Sequence, residues 1–146
     1  MKCLKITNTH WLNTVVPQIQ DYCKIVNSPA IYPQTLATSL HESIQFGGEA
    51  SEVWAAFETE EPVAFARFFV MPLPHIGTTC CDCFYSWDKG KKSRELLLDV
   101  LMSFTKKNRA TYVIFNFYNG KSIYKSVNDI MQDGIINDDV KGMLLK

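Results

Sequence analysis

This chain of 146 residues has no net charge, since 15 Lys and Arg offset 15 Asp and Glu. No global field therefore draws it to nucleic acid, and any anion site must be local. It also lacks an apolar run of membrane length. The longest such stretch, "PVAFARFFVMPLP", falls short of the roughly 20 residues a spanning helix needs and carries Arg67 inside it. The first residues, "MKCLKITNTHW", hold lysines but no apolar core of an export signal, so a cytoplasmic protein with no membrane partner is expected. Cysteine is present in an odd number, five, at the uneven positions Cys3, Cys23, Cys80, Cys81 and Cys83. That excludes the paired framework of a small secreted domain and predicts reduced thiols.

What is present is ordinary globular material. Apolar residues make up 47% and charged residues 21%, which leaves no room for a long disordered arm or a fibrous repeat. The length suits one domain over residues 1–146 with a single core. "CCDC" at 80–83 invites a metal, but alternation along a strand would divide its three thiols between two faces, and no second pair stands at CxxC spacing. No metal is expected, and the thiols read as small buried hydrophobes.

Periodicity along the chain gives the order of elements. Lys2–Thr7 alternates as a short strand. Apolar residues recur at helical spacing from Trp11 to Val26 and again from Gln34 to Phe46, where Gly47 and Gly48 end the second helix. "EVWAAFE" and "VAFARFFVMP" are rich in Val, Phe and Trp and predict a hairpin, with "TTCCDCFYSW" as a third strand beside it. A cationic turn with Lys89, Lys91, Lys92 and Arg94 then opens a helix from Ser93 to about Lys106, whose stripe is Leu96, Leu97, Val100, Leu101 and Phe104. "TYVIFNF" predicts a strand buried on both faces and parallel to the strand before the helix. A helix from Lys121 to about Met131 and a strand-like "VKGMLLK" end the pattern. The fold class is α+β: a mixed, mostly antiparallel central sheet of about six or seven strands flanked by about four helices.

The segment from Cys83 to Leu97 carries the chemistry. The first N–H groups of a helix have no intrahelical partner and attract anions, and lysines around them neutralise charge. The order of elements, with this turn at its centre, resembles the GNAT superfamily of acetyl-CoA-dependent N-acyltransferases. Setting Leu96 and Leu97 on the family's paired leucines puts Trp87 on its aromatic position and Lys91 and Ser93 on its loop glycines. Asp88 then stands where Arg or Gln is usual, and a shifted register would use Gly90 instead. The resemblance implies that residues about Lys89, Gly90, Lys91, Lys92, Ser93 and Arg94 hold the pyrophosphate of coenzyme A. It also implies that Phe84, Tyr85 and Ser86 pair with the pantetheine arm.

"NFYNGKSIYKSV" supplies two further positions. The resemblance puts Asn119 after the fifth strand at the cofactor and Tyr124 on the next helix, two residues short of the family spacing, as the acid that protonates the departing thiolate. Asp82 is a candidate base, with Glu58 and Glu60 as alternatives. The function implied is acetyl transfer from acetyl-CoA, as cosubstrate, to an amine by direct attack. The amine acceptor is not named by the residues, and a homodimer stays open. The alternative is a GNAT-fold binding or structural module that has lost catalysis.

Overall fold

A computed structural model describes residues 1–10, 13, 17, 33–46, 48–73, 76–86, 92–116 and 122–139. Six strands form one sheet in the order of the chain: β1 (Lys2–Lys5), β2 (Ser51–Glu58), β3 (Glu61–Leu73), β4 (Ile76–Ser86), β5 (Tyr112–Asn116) and β6 (Ser122–Ser126). Every neighbouring pair is antiparallel except β4 and β5, which run parallel. A parallel pair needs a crossover, and helix α2 (Lys92–Lys107) is that crossover. The predicted hairpin, third strand and strand–helix–strand unit are all present. The mixed, mostly antiparallel α+β class is as expected.

Alternation of side chains sorts the sheet into two faces. Ala56 of β2, Ala64, Ala66 and Phe68 of β3, and Val113 and Phe115 of β5 join Leu97, Leu98, Leu101 and Phe104 of α2 in one buried cluster. Phe68 and Phe104 meet with ring centres 5.9 Å apart and planes tilted by 41°. The α2 stripe is therefore core at Leu97, Leu101 and Phe104, with Leu98 added to it and Leu96 and Val100 only half-buried. Charge at the helix ends suits the backbone dipole, since Glu95 lies in the first turn and Lys106 and Lys107 in the last. The helix stops where Arg109 takes φ 55° and the Asn108 side chain donates to the Phe104 carbonyl at 3.0 Å.

On the other face Val53, Ala55, Phe57 and Phe65 are buried. Helix α1 (Pro33–Phe46) packs there against β2, and its Leu40 is fully buried. Its bounds match the predicted second helix within one residue at its start. Of the predicted first helix, Asn13 and Pro17 are helical, as are Thr9 and His10 just before it, and its other residues lie outside the described ones. Cys3 is half-buried beside the core cluster, and burial pushes its thiol up to about 11, so it behaves as a small apolar side chain at neutral pH.

One prediction is overturned. The helix expected from Lys121 to about Met131 is instead strand β6 followed by the four-residue helix α3 (Val127–Ile130). In "SIYKS" the apolar residues do not recur at helical spacing, and pairing with β5 along the whole strand, from Tyr112↔Ser126 to Asn116↔Ser122, outweighs local preference. Ser126 then caps α3, accepting from the Asp129 N–H at 3.0 Å. Met131 belongs to a two-stranded hairpin, β7 (Met131–Gln132) and β8 (Ile135–Ile136). Its turn residues Asp133 and Gly134 have φ 54° and 77°, the left-handed pair that an Asp-Gly hairpin turn requires. The strand-like "VKGMLLK" lies outside the described residues. Among those described, no helix is long and apolar enough to cross a membrane.

Candidate active site

The site begins where two parallel strands part. β4 pairs with β5 from Thr78↔Tyr112 to Cys81↔Phe115 and no further. β4 runs on to Ser86 with β3 as its partner, through Phe65↔Tyr85 and Ala64↔Ser86. β5 runs on to Asn116 with β6. Among the described residues, the β5-facing edge of β4 from Asp82 to Ser86 has no strand beside it. A bulge adds to the divergence: from Arg67↔Asp82 to Phe65↔Tyr85, β3 advances by two residues and β4 by three, which leaves an extra residue within Cys83–Phe84. Such a bulge bends its strand and re-aims the backbone groups beside it.

The same strand leads to the helix end that the cationic turn was expected to serve. Lys92 is the first residue of α2 and is exposed. Ser93 is fully buried, and Arg94 is half-buried. Small Ser93 allows close approach at this end, and the adjoining N–H groups of the first turn have no partners within the helix. Phe84, Tyr85 and Ser86 lie in β4, along its unpaired edge. Trp87, Asp88, Lys89, Gly90, Lys91 and Asn119 lie outside the described residues.

Asp82 is the first residue of β4 beyond the β5 ladder. Glu58 and Glu60 are exposed at the tip of the β2–β3 hairpin, toward the Ser86 end of β4. Tyr124 is 65% exposed and sits in the middle of β6, opposite Ile114, rather than on a helix. Ile114 in turn pairs with Cys80, so Tyr124 stands two strand spacings, about 10 Å, from β4 and level with the last pairs before the strands part.

Two side chains that sequence reasoning passed over stand next to this place. Arg67 of β3 is the register partner of Asp82, and its Nη1 donates to Ser39 Oγ of α1. The guanidinium also lies 5.4 Å from the centre of the Phe69 ring. A single charge within the apolar run "VAFARFFV" was the available signal. It had served only as an argument against a membrane span.

No protein-family model matches this sequence, and no curated protein matches it in sequence. In structure the chain is similar to a ribosomal-protein-alanine N-acetyltransferase from Brucella melitensis biovar Abortus 2308, at 19% identity, with 80% of each chain covered and a TM-score of 0.61. It is also similar to a predicted acetyltransferase with acetyl-CoA from Clostridium acetobutylicum, at 14% identity over 82% of this chain and 83% of that one, TM-score 0.66. A third similar structure is an acetyltransferase of the GNAT family from Staphylococcus aureus Mu50, at 12% identity over 80% and 72%, TM-score 0.62. Identities at this level speak for architecture alone. They show that the chain shares the fold of these acetyltransferase structures, one of which is of the GNAT family.

Proposed function

We propose that this protein is an acyl-CoA-dependent N-acyltransferase that moves an acetyl group from acetyl-CoA to an amine within a ternary complex. The observation that carries the reading is the early end of the β4–β5 ladder, which, among the described residues, leaves the β5-facing edge of Asp82–Ser86 without a strand and so open to an extended ligand. A pantetheine arm is extended and carries two amides, so it can hydrogen-bond along such an edge. Its pyrophosphate then reaches the N-terminal turn of α2, where backbone N–H groups of the first turn, Lys92 and Arg94 receive negative charge.

The chemistry needs little else. The amine nitrogen attacks the thioester carbonyl, the C–N bond forms, and the carbonyl oxygen takes up negative charge. In this reading a backbone N–H beside the β4 bulge donates to that oxygen. Collapse breaks the C–S bond, the amine proton passes to a base and the thiolate takes up a proton. Asp82, at the parting of the strands, is the base in this proposal, and Tyr124 is the acid. The acceptor is a small or peptidic amine reaching the sheet face that carries Arg67 and Tyr124.

Tyr124 on an edge strand also supports a second reading, a GNAT-fold binding module without catalysis. One experiment separates the two. Acetyl-CoA is titrated calorimetrically, and the complex is then offered a panel of amines and peptides with acetylated product read by mass spectrometry. Binding with a product that needs the protein supports the enzyme. Binding without product across the panel leaves a module that keeps the cofactor site, and no binding heat at millimolar acetyl-CoA sinks the enzyme and favours a module whose cofactor site is lost.

A further inference from the structure

Arg67 is the one charged residue between Pro62 and Leu73. It is half-buried, bonded to Ser39 and set against Phe69. A cation taken partly out of water is stable only with an anion or several acceptors near it. Directly across the β3–β4 ladder stands Asp82, with the backbones about 5 Å apart as in any such pair. Opposite charges in opposed positions are a stabilising cross-strand pair. Asp82 is also the residue at which β4 leaves β5.

From this juxtaposition we infer that Arg67 is a positioning residue that keeps the carboxylate of Asp82 ionised where β4 and β5 part, and that through Ser39 it ties α1 to the same place. The inference deepens the acyltransferase reading, and its kinetic part rests on that reading. A base can take the amine proton only while it is deprotonated, and a neighbouring guanidinium favours that form. The tie to Ser39 would fix the wall of the acceptor side relative to the base.

Among the described residues, other charged groups near this part of β4 are few. β5 brings no titratable side chain between Val113 and Asn116. α1 carries half-buried His41 and exposed Glu42 within three residues of Ser39. α2 crosses β4 with Lys92, Arg94, Glu95 and Asp99 along it, packing through the core face, whereas Arg67 with its Ser39 bond is on the face opposite. Arg67 is thus the cation that register places at Asp82.

The test is carbon-13 NMR of the full chain with labelled Asp carboxyls, using Asp82→Asn to assign the resonance. In Arg67→Gln the Asp82 carboxyl is expected to titrate about one pH unit or more above its position in the unaltered protein, while Arg67→Lys keeps most of the effect. Arg67→Met provides a second neutral variant should Gln be poorly folded. An Asp82 titration that is the same with and without the cation overturns the inference. The acidic limb of kcat/KM for acetyl transfer should move by the same interval, with binding of acetyl-CoA unchanged. A carboxyl that moves while the limb stays put overturns the catalytic role. Should the unaltered protein neither bind acetyl-CoA nor acetylate any amine, the acyltransferase reading fails separately, and the NMR result still decides whether Arg67 governs Asp82.

Discussion

Glu52 of β2 is only 5% exposed, yet it is a charge. Trp54 Nε1 donates to its Oε1 at 2.9 Å, Lys107 donates to Oε2, and Lys5 stands 3.5 Å from the same oxygen. One carboxylate thereby joins β1, β2 and the last turn of α2. Burial by itself would raise its proton affinity, but the bonds from Lys107 and Trp54 and the charges of Lys5 and Lys107 outweigh it and hold the carboxyl below the usual range. A carboxyl depressed in the folded state contributes stability at pH above its unfolded value and loses it as pH falls through the folded value. Both lysines are more than a third exposed, so solvent screens part of the gain. Glu52→Gln should therefore cost about 1 to 2 kcal/mol at neutral pH. In chemical denaturation the gap between the two proteins should close as pH falls below about 4, and a gap independent of pH would show that packing, not charge, makes the contribution.

At the scale of elements, what the sequence made legible depended on how much of each pattern was local. α2 declared itself because its stripe, its first-turn Glu95 and its last-turn lysines all agree, and Leu97 proves to be fully buried. Leu97→Ala should cost about 2 to 5 kcal/mol in denaturant midpoint experiments, and a loss below about half a kcal/mol would mean that the helix is not seated on the sheet as described. β2, β3 and β4 were legible for a similar reason, since aromatic and β-branched residues are enriched in strands. β6 was not. Its side chains are Ser122, Tyr124 and Ser126 alternating with Ile123 and Lys125, a weak signal that becomes a strand only by pairing with β5. The sequence cue for that hairpin was Asn119–Gly120 between two strand-like runs, which is stronger evidence for a turn than the serines and valine are for a helix. Asp133–Gly134 was a second cue of the same kind, and the structure uses it for the β7–β8 turn. Arg67 escaped for a different reason: its register partner Asp82 is distant in sequence, and only a sheet register brings the two together.

For the whole molecule, the β2–β3–β4 order and the crossover to β5 could be read from the sequence, but the places of β1 and β6 and the early end of the β4–β5 ladder are matters of pairing that no local pattern encodes. That feature and the N-terminus of α2 are next to each other because a single connection joins Ser86 to Lys92, so one extended ligand with an anionic end can engage both. Under the proposed function this makes a prediction about division of labour across the molecule. Coenzyme A at a hundredfold excess over its dissociation constant should add about 2.7 kcal/mol to stability, which for a chain of this size raises Tm by roughly 5 to 10 °C. Lys92→Glu puts a negative charge at the first position of α2 and should abolish most of that shift, while the unliganded Tm changes little because Lys92 is exposed. Tyr124→Phe removes only a hydroxyl from an exposed side chain on β6, so it should leave the shift intact and lower the rate of acetyl transfer. Scanning calorimetry of the three proteins with and without coenzyme A reads the first two effects, and product formation under saturating acetyl-CoA reads the third. A shift that survives Lys92→Glu would move the anion site away from α2, and a Tyr124→Phe protein as fast as the original would leave the thiolate to be protonated from solvent, with β6 serving only to close the sheet.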